Sequence, residues 1–72
     1  MAKINNKKSA EMLRSLRIAK GETQAKLAKY LGVSRAAVCN YENGTRVPSD
    51  EFKVKLARHY NVTVGALFFN ER

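Results

Sequence analysis

Tryptophan is missing from this 72-residue chain, and cysteine, proline and histidine each occur once. A lone cysteine, Cys39, closes no intramolecular disulfide, and no cysteines and histidines have the spacing of a zinc site. One histidine and six scattered acidic residues assemble no Ser/His/Asp, Cys/His or paired-carboxylate constellation, so an enzyme is the poorest reading. Long apolar runs are absent too, which argues against a membrane-spanning helix, and no secretory leader is recognisable. Without a disulfide framework or a leader, a reducing cytoplasmic setting is expected. A chain this short hides a modest share of its surface, which leaves room for one compact core and none for a catalytic cleft beside it.

Acidic side chains are scarce as well: 14 Lys and Arg stand against 6 Asp and Glu, a formal net charge of +8. The excess is uneven. Residues 1–46 hold ten basic and three acidic side chains, a net of +7, whereas residues 47–72 hold four and three, a net of +1. Such an asymmetry is the electrostatic footprint of a polyanionic partner.

Residues 1–8 are polar and basic without periodicity and read as a flexible arm anchored only by Ile4, with one domain over residues 9–72. From Ser9 onward the apolar pattern is helical, with Met12, Leu13, Leu16 and Ala19 inward and a stop at Gly21. Thr23 caps a second helix that runs to Leu31 and buries Leu27, Ala28 and Leu31, and Gly32 ends it. Ser34 caps a third over residues 35–42, with Val38 and Tyr41 inward, and Asn43-Gly44 forms a turn. Ser49, followed by Asp50 and Glu51, opens a fourth helix with Phe52, Leu56, Ala57 and Tyr60 inward. The stretch Phe52 to Leu56 alternates like a strand, but good caps and the lack of a partner strand favour helix. Asn61 stops it, and Thr63 caps a short fifth helix burying Ala66, Leu67 and Phe68. The expected fold class is all-α, five short helices around one core. The inward positions are then filled, which leaves Phe69 exposed on a monomer and makes it a candidate dimer seam. His59 falls at an outward or boundary position.

Residues 23–44 read as helix, short glycine turn, helix, a spacing that lets the second helix enter a DNA major groove while the first crosses the backbone. With Val38 and Tyr41 turned inward, the outer face of that second helix carries Arg35, Ala36, Cys39 and Asn40. Arginine at a helix start matches guanine O6 and N7, and asparagine matches adenine N6 and N7. Ala36 permits close approach and contact with a thymine methyl, while Cys39 suits a small slot at the same face. Lys7, Lys8, Lys26 and Lys29 supply diffuse charge.

The segment Thr23-Gln-Ala-Lys-Leu-Ala-Lys-Tyr-Leu-Gly-Val-Ser-Arg-Ala-Ala-Val-Cys-Asn-Tyr-Glu-Asn-Gly44 closely resembles the lambda-repressor-like (Cro and Xre type) helix-turn-helix family. Leu13-Arg-Ser-Leu-Arg17, Pro48-Ser49, Leu56-Ala57 and Val62 resemble its flanking elements, so the likeness covers roughly residues 10–68. It implies a five-helix, cofactor-free transcriptional regulator that binds double-stranded DNA as a homodimer on a pseudo-palindromic operator, with no small-molecule effector. By position it implies that Gln24 holds a phosphate at the start of the second helix, beside free backbone N–H groups. Asn43, Thr45 and Arg46 would grip phosphates past the third helix, and Arg17 and Glu42 would join the first helix to the end of the third. Relatives usually carry an apolar residue where Glu22 stands. Their recognition faces also hold more long amides, so their operators do not carry over.

Together these features predict a sequence-specific regulator, a repressor of phage or bacterial type. The start at Met1 and the ending soon after Phe69 favour a complete small regulator over a fragment of a longer repressor. An antitoxin-like or anti-repressor module that binds another protein is the alternative, left open by Phe68-Phe69. RNA is disfavoured because the A-form major groove is too narrow for a helix and no stacking aromatics lie on the polar face.

Overall fold

Four helix starts are set by a hydroxyl that accepts from a backbone N–H two or three residues into the helix. The acceptors are Thr23, Ser34, Ser49 and Thr63, bonded to the N–H groups of Lys26, Ala37, Phe52 and Ala66. Each satisfies one of the donors that a helix N-terminus leaves unpaired. In the computed structural model, which describes residues 6–69, the elements are α1 (Asn6–Ala19), α2 (Gln24–Leu31), α3 (Arg35–Asn43), α4 (Asp50–His59) and α5 (Val64–Phe68). No strand occurs among the described residues, so the alternating stretch at Phe52 is helical as expected, with Leu56 fully buried and Val54 turned outward. Gly32 ends α2 at φ 77°, and its N–H returns to Ala28 and Lys29. Asn61, at φ 56°, turns the chain after α4. Both use the left-handed region open to glycine and tolerated by asparagine.

One side chain from each helix forms the centre: Leu13, Leu27, Val38, Leu56 and Leu67, none more than 1% exposed. Burial of each contributes about 1.5–3 kcal/mol. Around them α2 packs on α3, α1 lies against α3 and α5, and α4 packs on α5.

Several expectations need correction. Helix α1 begins at Asn6, so Lys7 and Lys8 belong to it; Ile4 and the rest of the expected arm lie outside the described residues. Its inner face holds Ser9 and Ala10, not Met12 and Ala19, which are exposed. The cause is tertiary: Ser9 Oγ donates to the Phe68 carbonyl at 3.2 Å, which turns that side of the first turn onto α5. Ala66 is only half-buried. Phe69 is half-buried rather than exposed and packs against the core. Lys53, unremarkable in sequence, is buried, with its ammonium 5.8 Å and 5.5 Å from the ring centroids of Phe68 and Phe69.

The corner at Glu22 packs through charge. Its carboxylate accepts from the Tyr60 hydroxyl at 2.6 Å and lies 2.7 Å from His59 Nε2. Tyr30 stacks on His59, with centroids 4.2 Å apart, and Lys20 Nζ donates to the His59 carbonyl at 3.1 Å. The turn between α1 and α2 is thereby tied to the end of α4. Burial pushes the Glu22 carboxyl up, but hydrogen bonds from Tyr60 and His59, and the charges of His59 and Lys20, outweigh it and hold it below its ordinary value of 4.5. The Tyr60 phenol is pushed far up, first by burial and then by its bond to Glu22.

A carboxylate with a depressed folded-state pKa stabilises the fold above its unfolded pKa and loses that contribution as pH falls through the folded value. Wild type should therefore melt higher than Glu22→Gln at about pH 7, and the gap should be smaller at about pH 3, below the ordinary carboxylate value. Thermal melts at both values measure this; a gap of equal size at each would show that the charge on Glu22 contributes nothing.

Candidate nucleic-acid interface

Ser34, half a turn after Gly32, sets the start of α3, and burial of Ala37, Val38, Tyr41 and Glu42 fixes its rotation. The remaining positions form a continuous outer face. Arg35, Ala36, Asn40 and Asn43 are exposed on it, and Cys39 is half-buried between them. The structure thus brings together all four residues expected to face bases. It adds Asn43, whose Nδ2 donates to Cys39 Sγ at 3.4 Å, one turn back along the same face.

Past α3, Gly44 at φ 79° returns its N–H to the Asn40 carbonyl. The Thr45 hydroxyl stands 3.3 Å from that carbonyl and 3.2 Å from Asn40 Oδ1. A donor there orients the Asn40 amide while leaving both its N–H groups and a carbonyl lone pair for another partner. Arg46 is exposed, with its guanidinium 5.9 Å from the centroid of Tyr41. That contact holds a positive charge beside the end of α3. Phe69 is not part of this face; its ring lies under Lys53.

Behind the face, Arg17 of α1 meets Glu42 of α3 through two parallel bonds, Nε to Oε2 at 2.6 Å and Nη2 to Oε1 at 3.1 Å. The side chains are 11% and 2% exposed. The third guanidinium nitrogen, Nη1, donates to the Glu22 carbonyl at 2.7 Å. Gln24 Nε2 donates to Glu42 Oε1 at 3.1 Å, so one carboxylate joins α1, the first turn of α2, and α3. The hydrogen bond to Glu42 raises the Arg17 pKa more than burial lowers it, with attraction to Glu42 adding to the rise. The expected Arg17–Glu42 pair is present. The bond from Gln24 is additional to that pair: Gln24 is half-buried on Glu42, with one amide hydrogen committed inward and the other left over. No local sequence signal marks that bond, which links residues 18 apart.

Groups of three or more histidine, cysteine or acidic side chains able to hold a metal ion do not occur among the described residues. No helix among them is long and apolar enough to cross a membrane.

Comparison with known proteins agrees with this geometry. The helix-turn-helix family of Cro/C1 type matches residues 13–67, and the chain belongs to that family. The restriction-modification controller protein C.AhdI from Aeromonas hydrophila superposes with a TM-score of 0.78 at 36% identity, over 89% of this chain and 97% of that one. The DNA complex of SinR, a master regulator for biofilm formation, gives 0.71 at 25% identity, over 82% and 95%. The transcriptional activator BcrR from Enterococcus faecalis is 36% identical over 61 residues, 85% of this chain; the chain spans 30% of its length.

Removing one partner of a buried ion pair leaves the other uncompensated, which costs about 3–5 kcal/mol, whereas replacing both with apolar groups is often neutral. Glu42→Ala should lose stability on that scale in urea denaturation, and Arg17→Met with Glu42→Leu should recover most of it. An equal loss in both variants would mean that the stranded charge is not the cause.

Proposed function

We propose that the chain is a sequence-specific regulator of transcription that binds double-stranded DNA in the cytoplasm, with α3 in the major groove. The observation that carries this reading is the outer face of α3. Arg35, Ala36, Cys39 and Asn40 project from a helix whose rotation is fixed by a buried carboxylate bridged to two other helices. Arg35 reads guanine and Asn40 adenine, each through paired hydrogen bonds, while Ala36 and Cys39 admit close approach of the base edges. Gln24, Asn43, Thr45 and Arg46 flank that face and hold backbone phosphates, which supply affinity and register. The net charge of +8 draws the chain toward any duplex before bases are read.

A homodimer with the part of Phe69 left uncovered by the core in its seam would place two such faces on a pseudo-palindromic operator, one helical turn of about 34 Å apart. Repression is the simplest outcome for a unit of this kind, since occupying a promoter excludes other proteins from it. No cofactor or small-molecule effector enters this reading.

Selection of sites from random duplex DNA, followed by titration at two salt concentrations, tests the proposal. An enriched inverted repeat bound far more tightly than scrambled DNA supports it; weak binding without enrichment, lost as salt rises, would reduce the chain to a non-specific polycation. On the selected site Arg35→Ala should cost about 1–3 kcal/mol and relax preference at one base pair. A uniform loss on every duplex would reassign Arg35 to a phosphate. Phe69→Ala should raise the dimer dissociation constant in sedimentation equilibrium, and an unchanged constant removes Phe69 from the seam.

A further inference from the structure

Beside the α3 face, an open groove of about 580 Å³ runs between α1 and the starts of α2 and α3. Its charged lining is Arg14, Arg17 and Arg35 against Glu22 and Glu42, with Gln24 on its wall. Counted formally the groove is close to balanced, but the geometry separates the charges. Glu42 is taken by Arg17 and Gln24, and Glu22 by Tyr60 and His59. Both carboxylates are thus spent on the protein's own donors. Arg14 and Arg35 are exposed and form no salt bridge among the described residues. The groove therefore presents two guanidinium groups that no acidic side chain among the described residues neutralises.

Arg14 also stands at a defined place. It lies one helical turn before Arg17 on α1, so the two share a side of that helix. Arg17 is fixed by three hydrogen bonds, which sets the rotation of α1 and brings Arg14 to the groove mouth. Opposite it is the first turn of α2, where the remaining amide hydrogen of Gln24 and backbone N–H groups lack helical acceptors.

We propose that Arg14 binds a DNA phosphodiester in this groove, so that α1 grips the duplex backbone together with the start of α2. The proposal rests on the DNA-binding reading above and adds to it a contact from a third helix. Arg14 faces a phosphate rather than a base edge, because the base-reading face belongs to α3. Its contribution is accordingly the same on every sequence and is screened by salt.

The test is the salt dependence of binding by the full chain, read by fluorescence anisotropy on the selected duplex and a scrambled one. Each phosphate contact contributes about 0.9 to the slope of log K against log salt. Arg14→Gln should make the slope shallower by about 0.9 per bound protomer on both duplexes and leave their affinity ratio unchanged. Arg14→Lys, which keeps the charge, should restore the wild-type slope. Arg58→Gln removes the same unit charge from the exposed last turn of α4, outside the groove, and should leave the slope as it is. Wild-type slopes in Arg14→Gln, or an equal change in Arg58→Gln, would overturn the contact while leaving DNA binding intact. A shifted affinity ratio would overturn the phosphate assignment in favour of base reading. Salt-independent or absent binding by wild type itself would remove the DNA reading and the proposal together.

Discussion

The buried carboxylate of Glu42 is the constraint on which the geometry of the face depends. It sits at the inner side of α3, accepts twice from α1 and once from α2, and so relates three helices by directional bonds instead of by apolar packing alone. Apolar contacts are non-directional and tolerate small rotations, whereas a bidentate guanidinium–carboxylate pair fixes both distance and orientation. The desolvation of such a pair offsets much of its attraction, so its value lies in register more than in stability. A rotation of α3 by a fraction of a turn would change where Arg35 and Asn40 project from the domain.

Glu22 extends the same logic to the far side of the α1–α2 turn. Its backbone carbonyl accepts from Arg17 while its carboxylate accepts from Tyr60 and meets His59. Two acidic residues, one in α3 and one in a turn, thus link four helices by hydrogen bonds. Their charges are consumed internally, and the basic excess of the chain is left to the surface, where a polyanion can use it.

Much of the fold was legible because its signals are local. Thr23, Ser34, Ser49 and Thr63 announce helix starts within three residues of themselves, and Gly32, Gly44 and Asn61 mark stops through backbone conformations that few residues adopt. What stayed hidden depends on which neighbour a face meets. Met12 and Ser9 both lie on plausible stripes of α1, and only the bond from Ser9 to Phe68 selects between them. Lys53, a residue type that is rarely buried, lies with its ammonium over the rings of Phe68 and Phe69 and 3.5 Å from Asp50 Oδ1. The residues on the outer face of α3 could be inferred from its periodicity, but the bonds of Gln24 to Glu42 and of Glu22 to Tyr60 join distant segments and leave no trace in spacing.

The bond from Ser9 to the Phe68 carbonyl joins residues 59 apart in sequence, so the first turn of α1 and the last turn of α5 are neighbours. The path of the chain is nearly a closed ring. A polypeptide attached after α5 would leave the domain from beside its opening helix, and a linker joining α5 back to α1 would let the ring be cut at an exposed loop elsewhere, the topology that circular permutation exploits.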